Sequence, residues 1–348
     1  KPVLCGLMVA AAALAYFMNR YGIAFDRGML GNVLETDAAE VGELLSPGLL
    51  VWVLGLGVLP AVVLSRMPLT PRGLLGALVD KAATLTALLG VSALLLTGFF
   101  ASYASLFRNH RDLRSQLVPI NLLAAAHGYA RARINAPREF VLAAADAARL
   151  SGVEQAGRPL VLVLVVGETT RAASLSLNGY GRPTTPMLAA RPDLINFGTA
   201  EACGTATATS LPCMFMDVGR AAYADGLAYR RESLLDALQR AGLDVWWIDN
   251  NSGCKGVCDR VQVVDAASLA SDAGCGVEGC FDEVLLDRLD QRLAAVERDT
   301  VIVLHMKGQH GPAYYRRYPP TFERFAPVCS TNALDRCDPA SVVNAYDN

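Results

Sequence analysis

The sequence predicts a multi-pass helical membrane region followed by an α/β domain with a mostly parallel sheet flanked by helices. Three long uncharged segments in the first third of the chain predict the membrane region. Short runs rich in Val and Leu, alternating with helical patterns after residue 159, predict the α/β domain. Eight of the nine cysteines lie after residue 200, which indicates that this domain occupies an oxidising compartment.

The composition excludes an ordinary soluble protein. The 348 residues are 53% hydrophobic and only 18% charged, which is too apolar for a soluble chain of this length. The formal net charge is −2, and nothing in the charge pattern suggests nucleic acid as a partner. The chain begins at Lys1 rather than Met and stops at Asn348 in NAYDN, so we expect both ends to be cuts in a longer protein.

The three uncharged segments are Pro2–Met18, Leu49–Ser65 and Ala82–Phe107. Each meets the length of about 17–25 mostly apolar residues that a membrane helix needs, the first two narrowly. A cleaved signal peptide explains the pattern poorly, because three such segments occur and no A-x-A site follows the first in the right context. Buried helices of a soluble core are the alternative interpretation.

Positive charge near the spans predicts their orientation. The short connection after the second span carries Arg66, Arg72 and Lys81, so we expect it to face the cytoplasm. The third span then leaves the membrane on the opposite side, and the α/β domain follows there.

The cysteines of the α/β domain fall as four close pairs. This pattern favours disulfides in a compartment such as the bacterial periplasm. A structural zinc site built from the two middle pairs is the alternative. The eight residues are Cys203, Cys213, Cys254, Cys258, Cys275, Cys280, Cys329 and Cys337.

The pattern along the chain predicts three parts. Residues 1–107 are expected to form the membrane region with three transmembrane helices, 108–158 a connecting helix and linker, and 159–348 the α/β domain. Within the connection, the apolar run Ile120–Tyr129 fits an amphipathic helix in the membrane interface and a plain connecting helix about equally well. The polar run Ser151–Arg158 has the composition of a linker.

Five segments in alternation predict the α/β domain. Continuous apolar runs are typical of buried parallel strands, and apolar residues at helical spacing predict the helices between them. The predicted strands are Leu160–Val166, Asp244–Ile248 and Thr300–Leu304, and the predicted helices are Leu234–Ala241 and Val284–Glu297.

Polar and titratable residues follow all three predicted strands, which is where ligands bind in open α/β sheets. Glu168 follows the first strand, Asn251 and Lys255 follow the second, and His305 and His310 follow the third on what is expected to be one loop. A carboxylate after a strand is more often a helix cap than a ligand. Polar or titratable residues after all three strands nevertheless favour a ligand-binding site at the carboxyl edge of the sheet.

Hydroxyl residues cluster in CGTATATSLPC, between Cys203 and Cys213. A disulfide between these cysteines would hold the hydroxyls rigidly, and a helix beginning here would offer free N–H groups to an anion. A threonine hydroxyl needs a base or a metal to act as a nucleophile, and Glu168 is a hard oxygen ligand for such a metal. A Ser/Thr-rich turn with an incidental disulfide is the alternative.

Four stretches of the α/β domain are long and specific: VLVLVVGETTRAASLSLNGYGRPTTPML, EACGTATATSLPCMFM, DNNSGCKGVCDRV and HMKGQHGPAYYRRYPP. They resemble the lipid A phosphoethanolamine transferases, which include the mobile colistin-resistance enzymes and belong to the alkaline phosphatase/sulfatase superfamily. The resemblance covers essentially the whole chain. Even KPVLCGLMVAAAALAYFMNRYGIAFDRGMLGNVLETD is similar to the family's third membrane span and the segment after it.

The resemblance implies an alkaline phosphatase/sulfatase-like fold in the bacterial inner membrane, with the catalytic domain in the periplasm. It identifies Thr207, the second threonine of the CGT-x-TA motif, as the nucleophile. Glu168 of the GET motif is implied as the first ligand of a zinc ion that Thr207 also contacts. The implied substrate-binding residues are Thr205, Asn251, Lys255 and His310. The implied disulfides are Cys203–Cys213, Cys254–Cys258, Cys275–Cys280 and Cys329–Cys337.

The implied reaction has two steps and takes place at the bilayer. Zinc lowers the pKa of the Thr207 hydroxyl, and the alkoxide attacks phosphatidylethanolamine and releases diacylglycerol. A phosphate of lipid A then takes the phosphoethanolamine from the phosphothreonine, which gives resistance to polymyxin and colistin. Lys255 would offset phosphoryl charge, and His310 would donate or accept a proton.

The resemblance also implies what the sequence lacks. The family's remaining zinc ligands lie beyond the point where this chain stops, and the first two of five membrane spans are absent. We therefore expect a partial sequence that binds zinc poorly and is inactive by itself, because Glu168 and Thr207 cannot complete a tetrahedral site. The alternative functions are transfer to a lipopolysaccharide core sugar or other envelope glycan, and a non-catalytic membrane-anchored product of a truncated gene.

Overall fold

The computed structural model divides the chain into two units, a helical unit and an α/β unit. The helical unit comprises Lys1–Glu35 and Leu45–Ala136, and the α/β unit comprises Thr36–Leu44 and Pro137–Asn348. The residues described are 1–36, 38–68, 73–109, 113, 115–134, 139–149, 158–266, 268, 275–276 and 279–348. Most of the predicted linker, residues 151–157, lies outside these ranges, as does Arg72 of the predicted cytoplasmic connection.

Eight α-helices occur in the described residues before residue 135. They are α1 (Pro2–Tyr21), α2 (Arg27–Glu35), α3 (Ala38–Leu44), α4 (Pro47–Val53), α5 (Leu59–Arg66), α6 (Leu74–Gly98), α7 (Phe100–Asn109) and α8 (Ile120–Ile134). Helix α3 belongs to the α/β unit, and the others belong to the helical unit. The predicted segment Ile120–Tyr129 therefore lies within α8, whose Ala125 is buried beside Leu14 and Phe25.

Among the described residues, three helical segments are long and apolar enough to cross a membrane, which confirms the predicted number. They are Pro2–Tyr21, Pro47–Arg66 and Leu75–Gly98. The third helix begins at Leu74, well before the predicted Ala82, so Asp80 and Lys81 lie within it rather than in the preceding connection. Helical hydrogen bonding continues through these two charged residues because no Gly or Pro interrupts the chain between Ala77 and Leu89.

The second span contains a π-helical turn, Leu54–Val58, between α4 and α5. Gly57 within this turn packs against α1, and a Cβ added there would lie 3.0 Å from Val9 Cα and 3.0 Å from Ala12 Cβ. The two helices can approach this closely only because the residue has no side chain.

The described residues of the α/β unit form five further α-helices and six strands. The helices are α9 (Pro186–Ala189), α10 (Thr207–Phe215), α11 (Leu234–Arg240), α12 (Val284–Leu293) and α13 (Pro339–Asp347). The strands are β1 (Val161–Val166), β2 (Asp244–Asp249), β3 (Gln262–Asp265), β4 (Cys275–Gly276), β5 (Gly279–Cys280) and β6 (Thr300–His305). The predicted elements are present, but some of their ends differ. Strand β2 ends at Asp249 rather than Ile248, β6 ends at His305 rather than Leu304, and α12 ends at Leu293 rather than Glu297.

The main sheet is parallel throughout, with the strand order β1-β6-β2-β3. Val166, the last residue of β1, pairs with His305, the last residue of β6. Asp249, the last residue of β2, pairs with the same histidine. The carboxyl ends of three strands therefore meet at one edge, and the residues that follow them emerge there together.

The sheet is covered on both faces around β6. Val301 and Val303 belong to one core cluster with residues of α10 and α11, and Ile302 and Leu304 belong to another with residues of α12. The period-two alternation of a strand sends successive side chains to opposite faces, so a fully apolar strand fits between two layers of helices.

Strand β1 differs from the prediction of a buried strand. Leu162, Val163, Leu164 and Val165 are all exposed in the described chain, and only Val166 is buried. In the described residues, β1 has a neighbouring strand on one side only, and its middle residues belong to neither of the two core clusters that cover β6.

The structure contains four disulfides. They join Cys203 to Cys213, Cys254 to Cys258, Cys275 to Cys280 and Cys329 to Cys337, the same pairs that the resemblance implies. The alternative of a four-cysteine zinc site is therefore excluded, since its members are bonded to one another.

Candidate active site

Glu168 and Thr207 meet at the carboxyl edge of the sheet. Glu168 stands two residues beyond the end of β1, and Thr207 is the first residue of α10. The Thr207 hydroxyl donates a hydrogen bond of 2.9 Å to Glu168 Oε2, and both residues are half-buried. The structure thus joins directly the two residues that the sequence proposes as nucleophile and metal ligand, although they lie 39 positions apart.

A second threonine fixes the other oxygen of the same carboxylate. The Thr169 hydroxyl donates to Glu168 Oε1 at 2.7 Å. Thr169 has a φ of 53°, in the left-handed region that a β-branched residue rarely adopts. Such strain costs on the order of 1–3 kcal/mol and persists where the surrounding structure enforces it, often at functional sites. Thr169 was not among the predicted site residues, although its place in the GET motif could have identified it.

The loop after β6 packs directly on Glu168. Gly308 has a φ of 52°, and a Cβ added to it would lie 2.6 Å from the Glu168 carbonyl oxygen. The backbone N–H of Gln309 donates to that same oxygen at 3.2 Å. Asp282 holds the loop from the other side by accepting from the N–H of Lys307 at 2.7 Å and of Gly308 at 2.8 Å. Only a glycine at position 308 lets the loop come this close.

Thr207 lies at the N-terminus of a nine-residue helix. The N-cap residue is Ala206, whose methyl group cannot accept a hydrogen bond, and no side-chain cap is present at this end of the helix among the described residues. The first N–H groups of the helix and the helix dipole favour an anion beside the Thr207 hydroxyl. The Cys203–Cys213 disulfide joins the segment before α10 to α10 itself. The sequence predicts that such a disulfide holds the hydroxyl residues between the two cysteines rigidly.

Asn251 is held between the ends of β2 and β6. Its backbone N–H donates to Asp249 Oδ1 at 2.7 Å, and its side-chain amide donates to the Met306 carbonyl at 2.9 Å. Lys255 has a φ of 53° inside the Cys254–Cys258 loop, and its ammonium group donates to the Ser252 carbonyl at 2.8 Å. Both residues therefore belong to the loop after β2, on the same edge as Glu168.

His305 corrects a prediction. The sequence placed it with His310 on one loop, but it is the last residue of β6 and is buried. Its Nδ1 lies 3.3 Å from Asp249 Oδ2, to which Trp247 Nε1 also donates at 2.7 Å. Burial by itself would raise the pKa of the Asp249 carboxyl, but these contacts and the Asn251 N–H outweigh burial and hold that pKa below its ordinary value.

His310 lies on the loop after β6 and faces α3. Its Nε2 is 3.6 Å from Glu40 Oε1, while its Nδ1 is buried and has no hydrogen-bond partner among the described residues. The Arg317 side chain donates to the His310 carbonyl at 2.7 Å and to both carboxylate oxygens of Glu43 at 2.8 and 2.6 Å. Within the described residues, no hydrogen bond or ion pair joins Lys255 or His310 to Thr207. Thr205 is exposed, two residues before α10.

The residues present fit two positions of a zinc site. Glu168 Oε2 and Thr207 Oγ1 are hard oxygen donors separated by 2.9 Å. Two ligands of a tetrahedral zinc with bonds of about 2.0 Å lie about 3.3 Å apart, so a small adjustment would let both bind one ion. In the described part of the chain, no group of three or more His, Cys, Asp or Glu residues is arranged to hold a metal. The pair thus supplies part of a site.

Two sequence-family profiles match the chain. The profile described as phosphoethanolamine transferase EptA/EptB matches residues 1–134. The profile described as sulfatase matches residues 161–348, more than half of the chain, and this range includes Glu168 and Thr207.

Two bacterial transferases match the chain over its whole length. The phosphoethanolamine transferase EptA of Escherichia coli strain K12 is 39% identical over 349 residues, which cover 100% of this chain and 64% of that protein. The phosphatidylethanolamine transferase Mcr-1 of Escherichia coli is 38% identical over 362 residues, which cover 100% of this chain and 66% of that protein. The chain thus spans just under two thirds of the length of these relatives.

A solved structure matches the fold of the chain. It is the integral membrane protein lipooligosaccharide phosphoethanolamine transferase A (EptA) from Neisseria meningitidis, with a TM-score of 0.91 and 38% identity. The match covers 99% of this chain and 64% of that one. The chain therefore belongs to the alkaline phosphatase/sulfatase superfamily, and its first 134 residues match the phosphoethanolamine transferase EptA/EptB profile.

Proposed function

We propose that the chain is part of an enzyme that transfers phosphoethanolamine from phosphatidylethanolamine to a phosphate of lipid A. The hydrogen bond between Thr207 and Glu168 carries this proposal, because it aligns a hydroxyl nucleophile with a carboxylate at the edge of the sheet. The family to which the chain belongs supports the same chemistry. The added group carries an amine, so it would lower the negative charge of lipid A and with it the affinity for cationic polymyxins such as colistin.

The membrane and its outer face are the proposed location. In the part of the chain that the structure describes, three helical segments are long and apolar enough to span a bilayer. The α/β unit holds four disulfides, which persist in an oxidising compartment such as the periplasm. Both substrates are lipids, so an enzyme anchored in the bacterial inner membrane meets its donor without extracting it into water. The bilayer is thus a partner in the reaction.

In the first step, Thr207 Oγ1 attacks the phosphorus of phosphatidylethanolamine. A bond forms between this oxygen and phosphorus, and the bond from phosphorus to the diacylglycerol oxygen breaks. The proton of the Thr207 hydroxyl passes to the departing diacylglycerol oxygen, diacylglycerol leaves as the alcohol, and phosphoethanolamine stays on Thr207 as a phosphothreonine. Glu168 turns the hydroxyl by accepting its hydrogen bond, and the N–H groups at the start of α10 favour the negative phosphoryl oxygens.

In the second step, a phosphate oxygen of lipid A attacks the phosphothreonine. The bond from phosphorus to Thr207 Oγ1 breaks, and the threonine hydroxyl is regenerated. Lys255 contributes positive charge near the phosphoryl group. His310, whose Nδ1 has no hydrogen-bond partner among the described residues, donates a proton to the leaving oxygen.

A zinc ion fits this scheme. Glu168 and Thr207 would hold it in part, with ligands from elsewhere in the intact protein. When bound, it would supply positive charge that lowers the pKa of the Thr207 hydroxyl.

The test is Thr207→Ala in the full-length protein. We expect this variant to lose transfer and the phosphothreonine adduct, both detected by mass spectrometry of lipid A and of the protein. Thr209→Ala is the matched control, because it removes the same group from the same helix, where the hydroxyl donates to Asp225 rather than to Glu168. Retained transfer by Thr207→Ala would rule out the assigned nucleophile.

The same mass spectra decide the acceptor. A Kdo(2)-lipid A phosphoethanolamine 7''-transferase of Escherichia coli strain K12 is 26% identical over 376 residues, less similar than EptA. We therefore expect the added mass on a lipid A phosphate. If the added mass is found on a core sugar instead, the acceptor is an envelope glycan and not a lipid A phosphate.

A further inference from the structure

Tyr346 contacts both ends of the turn that follows Glu168. Its hydroxyl accepts a hydrogen bond of 2.9 Å from the backbone N–H of Arg171 and donates one of 2.7 Å to the carbonyl of Thr169. Burial raises the pKa of this tyrosine, so the hydroxyl keeps the proton that it donates. One side chain, 175 positions away in the sequence, thus closes the Thr169–Arg171 turn.

The helix that carries Tyr346 is anchored on both sides of it. Arg182 donates to Asn344 Oδ1 at 2.8 Å and pairs with Asp347 Oδ2 at 3.0 Å. The Tyr180 hydroxyl donates to the same Asp347 oxygen at 2.8 Å. The position of the Tyr346 hydroxyl is therefore set by α13 and not by the turn that it holds.

The turn connects Tyr346 to the reacting hydroxyl by successive hydrogen bonds. Tyr346 holds the Thr169 carbonyl, Thr169 Oγ1 donates to Glu168 Oε1, and Thr207 Oγ1 donates to Glu168 Oε2. Thr169 keeps its unfavourable φ of 53° only while neighbouring groups enforce it. Without the Tyr346 hydroxyl, the Thr169 backbone can relax toward negative φ, and its hydroxyl then leaves the Glu168 carboxylate.

We propose that Tyr346 is a positioning residue that keeps Thr169 strained and thereby fixes the carboxylate of Glu168 against Thr207. This inference rests on the proposed function. Tyr346 touches no substrate atom in this scheme, and its effect passes through Thr169. A side chain that only fastened α13 to the sheet would stabilise the fold without this dependence on Thr169.

Tyr314 offers a matched control. Its ring lies edge-on against that of Tyr346, with centroids 5.6 Å apart and planes at 80°, and burial raises its pKa as well. The Tyr314 hydroxyl makes no hydrogen bond to the Thr169–Arg171 turn within the described residues. Tyr314→Phe and Tyr346→Phe therefore remove the same atom from adjacent rings, and only the second removal frees the turn.

The first experiment compares the two variants in the full-length zinc-loaded enzyme. We expect Tyr346→Phe to lower kcat about tenfold and to leave KM for phosphatidylethanolamine within about twofold, since only orientation at the reacting centre changes. We also expect weaker zinc binding in a chelator competition, and a melting temperature close to that of Tyr314→Phe. Equal kcat and equal zinc affinity for the two variants would overturn the proposal.

A double-mutant cycle with Thr169→Ala tests the route. If Tyr346 acts through Thr169, adding Tyr346→Phe to Thr169→Ala lowers kcat no further. Losses that multiply would overturn the route through Thr169. Absence of phosphoethanolamine transfer by the wild type is a separate result that counts against the proposed function, and the zinc competition then still tests Tyr346.

Discussion

Strands β6 and β1 are neighbours with similar composition and opposite surroundings. Both are short apolar runs, TVIVLH and VLVLVV, and they pair residue by residue along their whole length. All six residues of β6 are buried, whereas five of the six in β1 are not. The difference shows that composition alone does not decide whether an apolar strand is buried, because helices of the described residues pack over both faces of β6 and leave the middle of β1 uncovered.

The two strands also end differently. After β6 the chain is held by Asp282 and by a glycine that fits against Glu168. After β1 the chain enters the strained Thr169 turn, which side chains from distant segments hold in place. The site therefore depends on β6 for packing and on the turn after β1 for its reactive carboxylate.

The largest expected difference between the strands is in stability. Leu304 in β6 is 3% exposed and Leu162 in β1 is 52% exposed. We expect Leu304→Ala to lower the free energy of unfolding by about 2–5 kcal/mol, because it leaves a cavity. Leu162→Ala should cost less than about 1 kcal/mol, as exposed substitutions do. Urea denaturation of the purified chain measures both. Equal costs would mean that another segment covers β1.

An intermediate effect is expected at the loop after β6. Gly308→Ala places a Cβ 2.6 Å from the Glu168 carbonyl oxygen at a φ of 52°. Gly179→Ala is the control, since its φ is 91° but nothing lies within 4 Å of the added Cβ. We expect both to pay strain of about 1–3 kcal/mol. Only Gly308→Ala should also reduce transfer activity, because its loop must move away from Glu168. Equal activity of the two variants would contradict the packing role of this loop.

The smallest effect is a pH dependence at the ends of β2 and β6. The pKa of Asp249 is lowered in the folded protein, so the folded state binds fewer protons than the unfolded state. This carboxyl thus contributes stability above its ordinary pKa of 3.8 and loses it as the pH falls through its folded pKa. The slope approaches at most about 1.4 kcal/mol per pH unit in that window.

Asp249→Asn tests this assignment. Below about pH 5, the urea midpoint should fall less steeply with falling pH in the variant than in the wild type, because one titrating group is gone. Asp193→Asn serves as a surface control: Arg191 lowers the pKa of this aspartate as well, but both side chains are exposed to solvent, so we expect a smaller change in slope. An unchanged slope for Asp249→Asn would show that other carboxyls dominate the acid transition.

Much of the fold follows from local patterns. The apolar segments predict the membrane helices because a bilayer requires about 20 apolar residues whatever their neighbours are. The strands of the main sheet that the sequence predicted lie within two residues of their predicted ends. The exposure of β1 could not be predicted, since an apolar run has the same composition at the edge of a sheet and at its centre. His305 was placed outside its strand because a histidine reads as polar, and its burial depends on Asp249, 56 positions away.

The sequence predicted some residues of the candidate site and missed others. Glu168 and Thr207 could be identified from motifs, because the chemistry of a phosphate site requires a carboxylate and a hydroxyl in recognisable surroundings. Thr169 and Tyr346 were missed as contributors. Their role depends on a backbone angle and on hydrogen bonds between segments far apart in the sequence.

The sequence by itself determined the membrane helices, the α/β class and the chemical groups of the site. These depend on residue type, on periodicity and on groups that act over a few positions. Only the tertiary structure decided which apolar strand is buried, how close Gly308 comes to Glu168, and which side chains hold the Thr169 turn. Those features depend on distances between residues more than a hundred positions apart, and such distances exist only once the chain has folded.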